Sequence, residues 1–173
     1  MTVQKDTEAP PDAGQWLDHL DDATALAVML DDQAEATTAI RQSLGQIERA
    51  AAAITKRMAE DDTARIIYAG AGASIRIAVQ DGVELLPTFN WPRERVAYLV
   101  AGGNEALIES VEDAEDDEVA ARQMVDDLTL SANDVVIAIA ASGRTSLPVL
   151  CYVRPSSQPP LPSDLRITRT LRF

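Results

Sequence analysis

The 173-residue sequence contains very little cysteine and histidine. Its one cysteine, Cys151, excludes an internal disulfide and is typical of a protein from the reducing cytoplasm, which is the location we expect. Its one histidine, His19, falls in a helical stretch and is interpreted as a surface residue. Because no cluster of histidines and cysteines is present, the sequence predicts no metal site, and no cofactor is expected.

Basic residues are also scarce, with 15 Lys and Arg against 28 Asp and Glu and a net charge of −13. This balance excludes a nucleic-acid partner, because a phosphate backbone requires a basic surface. Long apolar runs are missing as well. The longest, Val135–Ala141, is far too short to cross a bilayer, and the polar opening residues do not resemble a signal peptide. We therefore expect no membrane partner, whereas a small anionic sugar phosphate remains possible.

Pattern and composition divide the chain into four parts. Residues 1–13 form a polar leader that we expect to be mobile. Residues 14–60 predict two amphipathic helices, the second from about residue 32, with apolar side chains at steps of three and four. Residues 61–145 change to an alternating strand and helix pattern, and residues 146–173 form a tail that we expect to lie outside the fold.

The tail differs sharply in composition from the rest of the chain. From Ser142 onward there are five arginines and one acid, Asp164, and five of the nine prolines follow Thr145. Proline clashes inside a helix, so this segment does not supply the helix expected after the last strand. Either a frame shift replaced the rest of a longer protein, or the tail is a genuine extension. We favour the frame shift, which predicts an incomplete C-terminal half.

The central part predicts an α/β fold. Apolar strands are expected at residues 65–69, 95–100 and 134–140, with helices at 74–86, 105–111 and 117–128 between them. This alternation is typical of a doubly wound parallel sheet with helices on both faces. Ligands of such sheets bind at the carboxyl ends of the strands.

Two loops at that edge carry glycine and hydroxyl groups. The first, GAGAS, places Gly72 where the backbone can approach a ligand and Ser74 at a helix start. The second, SGRT, places Ser142 and Thr145 around Gly143, next to peptide amides that can bind an anion. Each loop alone is equally consistent with an ordinary turn that ends in a helix cap. Together they favour a phosphosugar site.

Two glutamates, Glu84 and Glu115, stand out in the central part of the sequence. Glu84, in DGVELLPTF, lies between apolar neighbours, and burial there would disfavour its charged form, as suits a proton donor. Alone, a glutamate in such a stretch is more often a solvated helix residue. Glu115 lies in VEDAEDDE, where acids also complement the start of the helix predicted at 117–128. Sequence alone does not bring these two residues together.

These motifs, in this order, resemble those of the N-acetylmuramic acid 6-phosphate etherases, which are sugar-isomerase-like (SIS) domain proteins. The resemblance covers residues 7–145 and implies a lyase of cell-wall sugar recycling that releases D-lactate and N-acetylglucosamine 6-phosphate. It implies that Glu115 removes a proton from C2 and that Glu84 protonates the leaving lactate. It also implies a homodimer, and phosphate binding by the two loops, through Gly72, Ser74, Ser142, Gly143 and Thr145.

Two other functional interpretations stay open. Three residues, Ala73, Ile75 and Asp113, depart from the etherase pattern, which is compatible with a non-catalytic, regulatory phosphosugar-binding SIS protein. An incomplete C-terminal half is compatible with an inactive fragment of low stability that aggregates, because an unfinished sheet exposes apolar surface.

Overall fold

A computed structural model describes residues 16–112, 114 and 116–141. The chain divides into two compact units, of which residues 16–50 and 51–141 are the described parts. No helix among the described residues is long and apolar enough to cross a membrane.

The first unit consists of a short 3₁₀ turn, Leu17–His19, and the larger part of helix α1, Asp22–Glu60. Asp21 accepts hydrogen bonds from the backbone N–H and the hydroxyl of Thr24, which is how an N-cap residue fixes a helix start. The prediction of two helices in residues 14–60 is therefore corrected to one. Neither glycine nor proline interrupts residues 22–44, so the backbone has no reason to break the helix.

The second unit is built on three parallel strands in the order β2–β1–β3. They are β1 (Ile66–Gly70), β2 (Val96–Val100) and β3 (Val135–Ile139). Each strand lies within one residue of its predicted limits. In the register of the sheet, Gly70 is the partner of both Val100 and Ile139, so all three carboxyl ends meet at one edge.

Helices cover both faces of this sheet, as the doubly wound prediction requires. One face packs α2 (Gly72–Val83) and the 3₁₀ turn Asn104–Leu107 against Tyr68 and Val100. The opposite face packs α4 (Glu118–Leu128) against Ile67 and Leu99. Alternate side chains of β1 enter the two layers, which is the geometry of a strand buried on both faces.

Two shorter elements lie between α2 and β2. Helix α3 (Leu85–Phe89) follows α2 after one residue, and a 3₁₀ turn, Arg93–Arg95, leads into β2. The helix predicted at 105–111 is reduced to the turn Asn104–Leu107. Gly102 and Gly103, with φ angles of 80° and 73°, form the turn that leads from β2 into this element, which ends at Leu107.

The amino edge of the sheet is closed by the last turns of α1. Ile54 and Met58 pack with Ala64 and Val135. Arg95 then donates to the backbone carbonyls of Met58, Asp61 and Ala64. The carbonyls of Met58 and Asp61 lie at the end of α1, where no intrahelical partner exists, and that of Ala64 lies just before β1.

Candidate functional site

A cavity of about 390 Å³ opens at the carboxyl edge of the sheet. Ala71 and Ala101, which follow β1 and β2, form its floor. Its walls come from the start of α2 and from the segment before α4. The remaining lining residues are Gly72, Arg76, Ala106, Ser110, Val111, Glu112 and Ala114. The cavity therefore lies where the doubly wound fold predicts a ligand.

The GAGAS loop turns directly from β1 into α2. Gly72 has a φ angle of 53°, which favours glycine, and an added Cβ there would meet nothing within 4 Å. The helix N-cap is Ala71, whose side chain makes no capping hydrogen bond. Amides of the first helical turn lack intrahelical partners, so the open space beside Gly72 gives an anion access to N–H donors.

Ser74 is the third residue of α2 and not its cap, so the structure contradicts the capping interpretation of this serine. Its side chain is half-buried beside the loop. The next residue, Ile75, is fully buried in the core and packs with Tyr68 and Ala78, so its bulk is directed away from the cavity. Ile75 therefore leaves the loop open, although it departs from the etherase pattern.

Arg76 crosses from α2 to the opposite wall of the cavity. Its Nε and Nη2 atoms donate to the carbonyl of Ala106 at 3.0 and 2.9 Å, and Nη2 donates to the carbonyl of Glu109 at 2.8 Å. The guanidinium thus joins α2 to a segment that lies 30 to 33 positions later in the chain. It also places a positive charge on the cavity wall.

The acidic segment forms the other side of the cavity. Glu112 and Ala114 line it, while Asp113 and the predicted base Glu115 lie outside the described residues. Asp117 caps α4 by accepting from the N–H groups of Val119 and Ala120 at 3.1 and 2.9 Å. Asp117 therefore stabilises the start of α4. This is the structural role that the alternative interpretation assigns to the acidic segment as a whole.

Glu84 lies at the far end of α2 from the cavity. The helix starts at the carboxyl edge of the sheet and runs back along it. Ten residues at about 1.5 Å each separate Ser74 from Glu84 by roughly 15 Å. Its side chain is exposed, and so are those of Val83 and Leu86. The expected burial of Glu84 is therefore wrong in this chain, because its neighbours in sequence do not cover it in space.

The SGRT loop, with Ser142, Gly143 and Thr145, lies outside the described residues. The strand that precedes this loop in sequence, β3, ends at Ile139 beside Gly70 of β1. Among the residues that the structure describes, no three His, Cys, Asp or Glu side chains are grouped closely enough to hold a metal ion.

Sequence reasoning did not single out Arg76, Ser110 or Glu112 as cavity residues. One signal was available for Arg76. A positive charge near the start of a helix opposes the helix dipole, so this arginine requires a partner outside α2. No comparable local pattern marks Ser110, whose place at the cavity depends on how the chain returns from β2.

Comparison with known proteins agrees with this architecture. Residues 46–151 match the family model described as the glucokinase regulatory protein N-terminal SIS domain. Curated relatives include an N-acetylmuramic acid 6-phosphate etherase of Deinococcus radiodurans, which is 40% identical over 84% of this chain and 47% of its own length. An N-acetylmuramic acid 6-phosphate etherase 2 of Enterococcus faecalis is 42% identical over 80% of this chain and 46% of its own length.

The chain spans about half the length of the curated relatives that it matches. The resemblance to etherases inferred from the motifs is confirmed by these similarities. The described fold has the parallel sheet and the two helical layers expected of a SIS domain. This chain therefore belongs to the SIS-domain family, and within it the chain is similar to the N-acetylmuramic acid 6-phosphate etherases.

Proposed function

We propose that this protein cleaves the D-lactyl ether of N-acetylmuramic acid 6-phosphate in the recycling of cell-wall amino sugars. The observation that carries the proposal is the cavity at the carboxyl edge of the sheet, between GAGAS and the acidic segment. The chain in which it occurs is about 40% identical to proteins named etherases. The substrate is a small anionic sugar, which suits a cavity of about 390 Å³ with helix-start amides on its wall.

The proposed reaction is an elimination followed by hydration. In the open-chain sugar, Glu115 removes the proton on C2, next to the aldehyde. The C3–O bond to lactate breaks as a C2–C3 double bond forms, and Glu84 supplies a proton to the departing oxygen. Water then adds to C3 and a proton returns to C2, giving N-acetylglucosamine 6-phosphate. An acid, a base and binding groups are sufficient for these steps.

The phosphate is assigned to the two glycine loops. Gly72 and Ser74 stand at the start of α2, and Ser142, Gly143 and Thr145 follow β3, the neighbour of β1 in the sheet. Peptide N–H groups and hydroxyls would share the phosphate oxygens. The strongly negative net charge is compatible with this mode of binding, because local donors rather than a basic surface hold the anion.

The position of Glu84 gives the expected homodimer a chemical role. Within one chain, Glu84 is roughly 15 Å from Ser74 along α2, which is too far for it to reach a sugar held at the GAGAS loop. We therefore assign the proton donor to Glu84 of a second copy. In that arrangement, each cavity would contain Glu115 from its own chain.

Lactate release from N-acetylmuramic acid 6-phosphate tests the reaction. We expect Glu115→Gln to reduce kcat by at least about a hundredfold, since general-base catalysis contributes on this scale, and Glu84→Gln to reduce it similarly. Glu94→Gln, in the exposed turn before β2, serves as a control with the same charge change. If the wild-type chain releases no lactate, the etherase proposal is wrong.

Mixing the two inactive variants tests the second copy. If the donor comes from the partner, Glu84→Gln and Glu115→Gln chains that exchange subunits form a mixed dimer with one intact site. We expect about a quarter of the wild-type activity at equal mixing with complete exchange, because half of the dimers are mixed and each has one of two sites. Activity no higher than that of the separate variants, after exchange is verified, would overturn this assignment.

A second candidate function is phosphosugar binding without cleavage. The exposed position of Glu84, away from the cavity, is the observation that favours it. Under this alternative the chain binds N-acetylglucosamine 6-phosphate through the GAGAS loop and releases no lactate. Calorimetry with that ligand, alongside the lactate assay, separates the two functions.

A further inference from the structure

We propose that Arg76 binds the lactyl carboxylate of the substrate and so distinguishes N-acetylmuramic acid 6-phosphate from the lactate-free sugar. This inference rests on the proposed function, and it concerns specificity at the same cavity. It assigns a role to a residue that neither the glycine loops nor the two glutamates include.

The first support is the charge of the cavity wall. Among the described residues that line it, Arg76 and Glu112 carry charge, and Arg76 is the positive one. In a chain with a net charge of −13, a positive group fixed in the wall of a cavity is a local attraction for an anion. A sugar with both a phosphate and a carboxylate has a second anionic group that requires such a partner.

The second support is the way in which the guanidinium is held. Its hydrogen bonds to Ala106 and Glu109 use the Nε proton and both Nη2 protons. Among the described residues, the Nη1 group makes no hydrogen bond, so its two N–H donors remain for a ligand. Because three contacts already fix the side chain, binding an oxyanion costs little further conformational entropy.

The third support is the separation of Arg76 from the GAGAS amides. The side chain extends away from the start of α2 and reaches carbonyls on the opposite wall. A phosphate held at Gly72 would leave the guanidinium to contact another part of the sugar. Carboxylate is the remaining anionic group of the proposed substrate, and arginine binds carboxylates through charge-assisted hydrogen bonds.

Paired affinities test the assignment. Calorimetry would compare N-acetylmuramic acid 6-phosphate with N-acetylglucosamine 6-phosphate in a Glu115→Gln background, which prevents turnover under the proposed mechanism. We expect Arg76→Gln to weaken binding of the lactyl sugar about tenfold to a hundredfold more than binding of the lactate-free sugar. Arg122→Gln on α4, whose side chain is exposed, is the matched control and should change neither affinity.

Equal losses for the two sugars would overturn the inference, because a residue that only positions the Ala106–Glu109 segment affects both. No loss for either sugar would also overturn it. A ligand-side test needs no substitution, and it therefore remains decisive if Arg76→Gln does not fold. The carboxamide analogue of the lactyl sugar should bind the Arg76 chain at least about tenfold more weakly than the acid, and equal affinity would contradict the proposal.

These results are distinguishable from failure of the proposed function. If Arg76 recognises the carboxylate but the wild-type chain releases no lactate, the affinity difference persists and only the etherase reaction is rejected. If lactate is released and the two sugars lose affinity equally, only the role of Arg76 is rejected.

Discussion

Asp134 is the side chain through which the amino ends of β1 and β3 are joined. Its carboxylate accepts from the backbone and guanidinium of Arg65, with a shortest contact of 2.6 Å, and from the N–H of Ser131. The Asp134 side chain is only 1% exposed and that of Arg65 is 23% exposed. Burial alone would raise the pKa of Asp134. The hydrogen bonds from Arg65 and Ser131 lower it by more than burial raises it, so the pKa lies below the ordinary value of 3.8.

Removing this carboxylate charge should therefore destabilise the fold. We expect Asp134→Asn to lower the free energy of unfolding by about 2 to 4 kcal/mol, because it leaves the Arg65 guanidinium partly buried without its counter-charge. Urea denaturation measures the change. Glu60→Gln is the control, since its pair with Lys56 is exposed and should contribute less than about 1 kcal/mol. Equal effects of the two substitutions would contradict this account.

Asp61 makes the stability of the fold depend on pH in the acid range. The hydroxyl of Thr63, the side-chain amide of Asn133 and the Thr63 N–H all donate to its carboxylate, and they lower its pKa from 3.8 to about 2. Because the folded pKa is the lower one, this stabilisation is fully present above about pH 4 and is lost as the pH falls through about 2.

We expect the free energy of unfolding to fall less steeply between about pH 4 and pH 2 in Asp61→Asn than in the wild type. Denaturation curves across that range provide the measurement. Asp62→Asn removes the same charge from the next residue, which makes none of these hydrogen bonds to the described residues, and it should retain the wild-type slope. A slope unchanged by Asp61→Asn would show that these contacts do not persist in solution.

At the scale of elements, α2 is held on the sheet by a close approach at Gly82. An added Cβ at this position would lie 2.6 Å from the Tyr98 hydroxyl and 2.9 Å from the Tyr68 ring. The two rings stack with centroids 5.9 Å apart, and the Tyr68 hydroxyl donates to Asp81. Burial, together with this hydrogen bond, raises the pKa of Tyr68 to about 12. The helix and the rings are therefore packed with no room for a methyl group.

Two glycine substitutions should consequently have opposite signs. In a helix, alanine is favoured over glycine by about 1 kcal/mol, but overpacking costs about 1 to 3 kcal/mol. Since three atoms lie within 3.0 Å of the added Cβ, the cost at Gly82 is expected at the upper end of that range, and Gly82→Ala should destabilise the protein by about 1 to 2 kcal/mol net. In contrast, Gly45→Ala in α1 should stabilise it, because the nearest atom to its Cβ is a flexible arginine nitrogen 3.7 Å away. Thermal unfolding of both variants tests this, and stabilisation by Gly82→Ala would contradict the packing described.

Elements were predictable from the sequence wherever a pattern is local. The predicted strand limits agree within one residue because each strand is an apolar run that begins directly after a charged residue, namely Arg65, Arg95 or Asp134. The continuity of α1 across residue 32 differs from the prediction of two helices, because no glycine or proline breaks the backbone there. The exposure of Glu84 could not be read from its apolar neighbours, because burial depends on which residues cover it in space. The position of Ser110 at the cavity depends on tertiary folding in the same way.

At the scale of the whole molecule, several large apolar side chains are exposed. Ile108 and Phe89 are 86% and 71% exposed, and the outer edges of β2 and β3 are unpaired within the described residues. Exposed apolar surface and free strand edges both favour association between chains.

We therefore expect the mass of the particle to increase with protein concentration, and to exceed that of the proposed homodimer if the strand edges pair. Light scattering coupled to gel filtration measures it, and a thermal scan reports the cooperativity of unfolding. A particle of constant monomer mass with a sharp, cooperative melt would contradict this expectation. Phe89→Ser should reduce association if the face of α3 takes part, whereas Thr38→Ser on α1 serves as a conservative control.

The central claim is that the carboxyl edge of the sheet binds a sugar phosphate. Titration of the isotope-labelled chain with N-acetylglucosamine 6-phosphate, followed by NMR of the backbone amides, tests it most directly. We predict the largest shift changes at residues 71–74 and 101–103, with smaller changes for inorganic phosphate at the same positions. Changes confined to α1 or α3, or none at saturating ligand, would contradict the claim.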